Sequence, residues 1–255
     1  MTASGKFPPH FEALVPHLKE CGDKTTILMF RHAERPPILQ DTPIDVVLTM
    51  GLTEKGKVDA ENFGKAFREC FPNLSVVKQT ASPVKRCVET AAYFLRGWSD
   101  KTNDQSIESL MEKSIKVIST LRGDGLYRQD VAVKVYVDTK KFSEMFLDSF
   151  EIAARKLLEI IATELKSVPN GKLGLLCAHD TTIAELKSVP NGKLGLLCAH
   201  DTTIAIINLF VHGIKPEDLD LKTHFVNLME GILIQRVNKD KVKFVWRDKI
   251  TFLNL

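Results

Sequence analysis

Three short apolar runs, each breaking off into charged or polar residues, constrain this chain more than any other feature. Thr25–Phe30 (TTILMF) runs into RHAERPP, Ser75–Gln79 (SVVKQ) into TASPVKR, and Lys172–Ala178 (KLGLLCA) into HDTT. Apolar runs of this length suit strands buried on both faces. Between them lie stretches with apolar residues at helical spacing. Thr53–Cys70 carries Val58, Phe63, Ala66 and Phe67, with Thr53 as a plausible N-cap, and Val84–Trp98 carries Val88, Ala91, Ala92, Phe94 and Leu95. This alternation predicts an α/β fold, a three-layer sandwich with a mostly parallel central sheet.

The rest of the chain fits that frame. Ile107–Leu121 and Phe142–Lys166 read as helices around a short strand, Val131–Val137. Phe225–Val237 and Lys241–Trp246 alternate as an antiparallel pair turned at Asn238-Lys239-Asp240. No Gly-, Ser- or Pro-rich linker divides the sequence, so residues 1–255 are expected to form a single domain, with a small helical insert at about 100–150.

Composition excludes some partners. A net charge of +3 without a block of like charge argues against nucleic acid. No apolar stretch approaches the roughly 20 residues that span a bilayer. Cys21, Cys70, Cys87, Cys177 and Cys198 show no CxxC spacing, which suits a reducing compartment. The N-terminal segment has no apolar signal-peptide core, so a cytoplasmic location is expected.

In open α/β sheets the carboxyl ends of the strands face the ligand crevice. Arg31, His32, Arg35, Arg86 and a His-Asp pair would therefore converge. Several guanidiniums make a site for a small, highly charged anion, because their planar donors match phosphate oxygens and stay charged. An imidazole among them stays neutral and can attack phosphorus, and an adjacent Asp can protonate the leaving oxygen. A lone His at a strand end is more often structural; the flanking arginines favour function for His32. Glu34 invites a role as acid, against the plainer readings that it points outward or pairs with an arginine, and Glu89 is read as orienting one.

Arg31–Pro37 (RHAERPP) resembles the RHGxRxP signature of the histidine acid phosphatases, a branch of the histidine phosphatase superfamily. Leu52–Gly56 (LTEKG) is similar to the LTxxG that follows it there, Ser82–Thr90 (SPVKRCVET) to the segment carrying a third phosphate-binding arginine, and LLCAHDTTIA to the C-terminal HD motif. The resemblance implies a phosphoglycerate-mutase-like fold and a phosphomonoester hydrolase of the EC 3.1.3 type acting on a small phosphorylated substrate. His32 would be the nucleophile, Arg31, Arg35, Arg86 and the His of the HD pair would hold the phosphoryl group, and the Asp would donate the proton. No cofactor and no metal are implied. Two other readings stay open: a phosphoglycerate-mutase-like phosphotransferase, and a phosphate-binding pseudoenzyme. Ala33 stands where the family usually has Gly, which costs little unless that residue needs a positive φ.

The HD motif is written twice. Glu164–Ala184 (ELKSVPNGKLGLLCAHDTTIA) is followed without a gap by an identical Glu185–Ala205, so His179-Asp180 and His200-Asp201 compete for one role. The first pair leads into TTIAELKSVP, which turns polar and stops at Pro190; the second leads into TTIAIINLFVHG, which is apolar enough to cover a sheet. That context favours His200 and Asp201, with His179 and Asp180 as the alternative.

Overall fold

The run that enters RHAERPP is a strand, β1 (Thr26–Arg31), with every residue buried except the last, as expected for aliphatic residues covered on both faces. It belongs to a computed structural model that describes residues 7–8, 10–24, 26–39, 42–72, 74–98, 105–117, 122–134, 141–167, 193–238 and 240–254. A short helix, α1 (Val15–Lys19), precedes β1, and α2 (Ile44–Thr49) and α3 (Glu54–Cys70) follow it. Then come β2 (Ser75–Ala81), α4 (Lys85–Trp98), α5 (Ile107–Lys113), β3 (Ile115–Val117), α6 (Gln129–Lys134), α7 (Lys141–Glu144) and α8 (Phe150–Ser167). The described chain resumes with β4 (Lys193–Ala199), α9 (Asp201–Val211), α10 (Leu221–His224), β5 (Gly231–Arg236), β6 (Lys241–Trp246) and β7 (Lys249–Asn254).

The fold is α/β, built on a seven-stranded sheet of order β3-β2-β4-β1-β5-β6-β7. The sheet is mixed, which corrects the expectation of a mostly parallel one. β3, β2, β4 and β1 pair in parallel, whereas β1–β5, β5–β6 and β6–β7 are antiparallel. The difference lies after α9: short turns join β5 to β6 and β6 to β7, and such turns can join only antiparallel neighbours, while β5 itself enters the sheet beside β1 in the opposite direction. The expected C-terminal pair is present as β5 and β6, but β5 starts at Gly231 rather than Phe225, and β7 adds a third strand.

The insert departs further from its reading. The helix expected over 107–121 stops at Lys113, and Ile115–Val117 pairs with β2 as an edge strand. Val131 lies in α6, not in a strand, and the segment expected as one helix from Phe142 is two, α7 and α8. Short apolar runs do not distinguish buried helix from strand by periodicity alone.

Packing fixes the strand ends. α3 lies along α4, with α4 against β2, β3 and β4, and α9 against β1. The helices cross closely: a Cβ on Gly64 of α3 would stand 2.1 Å from the Phe94 carbonyl oxygen of α4. Phe30, Phe63, Phe67 and Phe94 form an edge-to-face aromatic cluster between sheet and helices. α9 is almost wholly apolar after its first turn, and Ile204, Ile206, Ile207 and Leu209 are fully buried. Among the described residues, no helix is long and apolar enough to cross a membrane.

Candidate active site

Register brings the chemistry together. β1 and β4 are parallel, and their last paired residues are Arg31 and Ala199. His32 and His200 therefore emerge side by side, one residue beyond the end of each strand. Ala81 of β2 pairs with Cys198, which sets Ser82 beside them. The two imidazoles are 5.6 Å apart between ring centroids. Both histidines are buried.

His32 is held in one tautomer. Its Nδ1 lies 2.7 Å from the Ala33 carbonyl oxygen, which can only accept, so Nδ1 carries the proton. Nε2 then has a lone pair and accepts from Arg86 Nε at 3.1 Å. Burial holds the His32 imidazole well below the ordinary range, and the Arg86 and Arg31 guanidiniums and His200 reinforce the effect. The ring is neutral at physiological pH.

Arg86, near the start of α4, is buried despite its charge. Its Nη1 donates to the Val47 carbonyl oxygen of α2 at 2.6 Å, and its Nη2 is 3.4 Å from His200 Nδ1. On the other side, His200 Nε2 is 2.9 Å from Ser82 Oγ. Asp201 opens α9; its Oδ1 accepts from the Thr202 backbone N–H at 2.7 Å, and its Oδ2 pairs with Arg31 Nη2 at 2.6 Å. Arg31 also donates through Nη1 to the Val226 carbonyl oxygen at 2.9 Å.

A cleft opens among these groups, with walls that include His32, Arg35, Arg86, His200 and Asp201. Arg35 joins it from the RHAERPP loop, its Nη1 donating to the Pro36 carbonyl oxygen at 2.7 Å. Arg31 is not among the lining residues; it meets the site through Asp201. His179 and Asp180 lie outside the described residues, as do the strand and helix expected around them. Among the described residues no group of three or more His, Cys, Asp or Glu is arranged to hold a metal ion.

The loop carrying Arg35 is braced from α3. Thr53 caps that helix by accepting from the Gly56 N–H at 3.0 Å, and its hydroxyl donates to Glu34 Oε1 at 2.9 Å. A Cβ on Gly56 would stand 2.2 Å from the Glu34 carbonyl oxygen, so the LTxxG glycine is the point where α3 touches the RHAER backbone. Glu34 is thus a tether to α3. Glu89 holds no arginine among these contacts; its Oε2 accepts from the Leu52 N–H at 2.6 Å and fixes the entry to α3. Ala33 is fully buried against Leu52 and Ala60, and its φ is not positive, so its methyl group is accommodated without backbone strain.

Sequence reasoning passed over three residues of the site. Ser82 lies inside the quoted SPVKR, where its place before the helix was the available signal. Arg122 and Tyr127 come from the insert and belong to no motif. Arg122 is paired with Asp124 (Nε to Oδ1, 2.8 Å), and buried Tyr127 has its hydroxyl 3.3 Å from Thr203 Oγ1, its ionisation pushed up by burial.

No curated protein sequence matches the chain significantly. Among solved structures, a protein titled mycobacterial hydrolase 2 superposes with a TM-score of 0.50 at 13% identity, covering 91% of this chain and 89% of that one. A mycobacterial glucosyl-3-phosphoglycerate phosphatase gives 0.49 at 11% identity, covering 89% of this chain and 100% of its own. A phosphoglycerate mutase from Bacillus anthracis gives 0.43 at 13%, covering 93% and 95%. The sequence model of the histidine phosphatase superfamily (branch 1) matches residues 27–189, more than half of the chain. That span carries RHAERPP, LTEKG, SPVKR and the first copy of the HD motif, His179-Asp180, and with it the chain belongs to the histidine phosphatase superfamily.

Proposed function

We propose that the chain is a phosphomonoesterase that works through a phosphohistidine formed on His32 Nε2. The observation that carries this reading is the fixed tautomer. A neutral ring with its proton tied to the Ala33 carbonyl directs its Nε2 lone pair toward the cations, where it accepts from Arg86 until a phosphoryl group takes that place. In the first step Nε2 attacks phosphorus in line, the P–O ester bond breaks, and the departing oxygen takes a proton from Asp201. In the second, Asp201 as carboxylate accepts a proton from water as its oxygen attacks phosphorus, and the P–N bond breaks. Arg35, Arg86 and His200 hold the phosphoryl oxygens from the cleft walls, and Arg31 adds its charge from behind Asp201.

The His-Asp donor is of the acid-phosphatase type, and we assign it to the second copy because His200 and Asp201 contact the other site residues. Cys21, Cys70, Cys87 and Cys198 form no disulfide among the described residues, which fits a cytoplasmic setting. His32→Ala tests the chemistry. Loss of phosphate release from a chromogenic ester, together with loss of an acid-labile phosphoenzyme, is the expected result; retained turnover would overturn the reading.

A further inference from the structure

The cleft is lined by two kinds of side chain. Arg35, Arg86 and Arg122 bring positive charge, and Ile38, Ile44, Val47, Leu48 and Val84 are aliphatic. Four of these come from one stretch, the loop after RHAERPP and helix α2, and that stretch also leaves Leu39 65%, Val46 44% and Ile44 37% exposed. Large aliphatic side chains left in water on so short a segment, beside a concave site, are the usual composition of a ligand wall.

The polar side chains of the lining outside the phosphoryl site have partners within the protein. Arg122 is paired with Asp124, the Tyr127 hydroxyl lies 3.3 Å from Thr203 Oγ1, and the Thr202 hydroxyl donates to Asp201 Oδ1. Among the described lining residues none is Asn, Gln or Ser. Recognition of a polyhydroxylated leaving group needs such donors and acceptors, since each hydroxyl moved from water without a partner costs binding. The α2 segment is also fastened to the chemistry, because the Val47 carbonyl accepts from Arg86. A leaving group seated on this wall therefore lies next to the phosphoryl site.

From these observations we infer that the substrate is a phosphomonoester with an apolar leaving group, seated on Ile38, Ile44 and Leu48, and not a sugar phosphate. The inference rests on the phosphomonoesterase reading, and binding separates the two. Alkylphosphonates are non-hydrolysable and differ only in chain length, so their affinities report the wall without turnover. Each methylene fully buried is worth about fourfold in affinity. Hexylphosphonate, measured by calorimetry, should bind about tenfold or more tightly than ethylphosphonate, allowing for partial burial of the added methylenes. Ile44→Ser should shrink that ratio, and circular dichroism of the variant checks that α2 and the rest of the fold persist.

Hydrolysis supplies the second arm. Hexyl phosphate, ethyl phosphate and glucose 6-phosphate all release primary alcohols, so intrinsic leaving-group reactivity is similar. The hexyl ester should have the highest kcat/KM, with the gain over the ethyl ester in KM. Equal affinity for the two phosphonates, or a preference for glucose 6-phosphate, would overturn the apolar wall. Discrimination between phosphonates with no hydrolysis of any ester would overturn the phosphatase reading alone.

Discussion

Arg31 Nη2 stands 2.6 Å from Asp201 Oδ2, tying the last residue of β1 to the first residue of α9. The pair is largely buried, with side-chain exposures of 16% and 5%. Both members come from the recognisable motifs, yet they contact each other instead of sharing the cleft wall. In the proposed mechanism a phosphoryl dianion at His32 would compete with Asp201 for the Arg31 charge, so the ion pair links substrate binding to the proton donor.

Asp201→Asn tests the donor role. It should lower kcat/KM on ethyl phosphate by roughly 10²–10⁴-fold. The loss in kcat/KM should be much smaller on p-nitrophenyl phosphate, whose leaving group departs without a proton. Asp180→Asn should leave both rates near wild type. The opposite pattern between the two variants would move the donor to the first copy.

Stability should fall on acidification. The His32 imidazole titrates well below its ordinary value of 6.5 in the folded chain, so the unfolded chain binds the extra proton first. Its contribution is complete above about pH 6.5 and declines by up to about 1.4 kcal/mol per pH unit as pH falls toward the folded value. His17, His212 and His224 are also lowered by burial and add slope of the same sign. The relevant measurement is the difference between wild type and His32→Asn in urea melts from pH 7.5 to 5. The variant should show the shallower loss, and parallel curves would contradict a buried neutral His32.

Gly56→Ala and Thr53→Ala probe the brace under the RHAER loop. Removing the Thr53 cap should cost about 1 kcal/mol. The added methyl group at Gly56 meets backbone, the Glu34 carbonyl, which cannot step aside as a flexible side chain could. Gly56→Ala should therefore lower Tm more than Thr53→Ala and should also lower kcat/KM, because Arg35 sits one residue past Glu34. Equal Tm values in thermal melts would show that the contact is looser than described.

Much of the site was legible because strand ends and charge coincide in the sequence. TTILMF followed by RHAER places His32 at a strand end, and KLGLLCA followed by HD does the same for His200; parallel register then brings the two together. Arg86 was legible as a guanidinium near a helix start, but its grip on the Val47 carbonyl depends on where α2 packs, which no local pattern encodes. The insert was the least legible part. Val131 reads as strand by residue type, yet it lies in α6, because burial in a helix and in a strand selects the same apolar residues. The sheet's mixed character was half visible: the antiparallel turn before Lys241 could be read, whereas the antiparallel pairing of β5 with β1 comes from long-range packing.

β4 lies between β1 and β2, yet residues 193–199 supply it, so these two strands wait unjoined until most of the chain has been synthesised. Pairing at such sequence separation is slow, since the loop must close before the contacts repay it. The same seven residues, KLGLLCA, are also written at Lys172–Ala178. The slot between β1 and β2 closes only once Lys193–Ala199 has been made, and α9, which follows at once, then packs against β1.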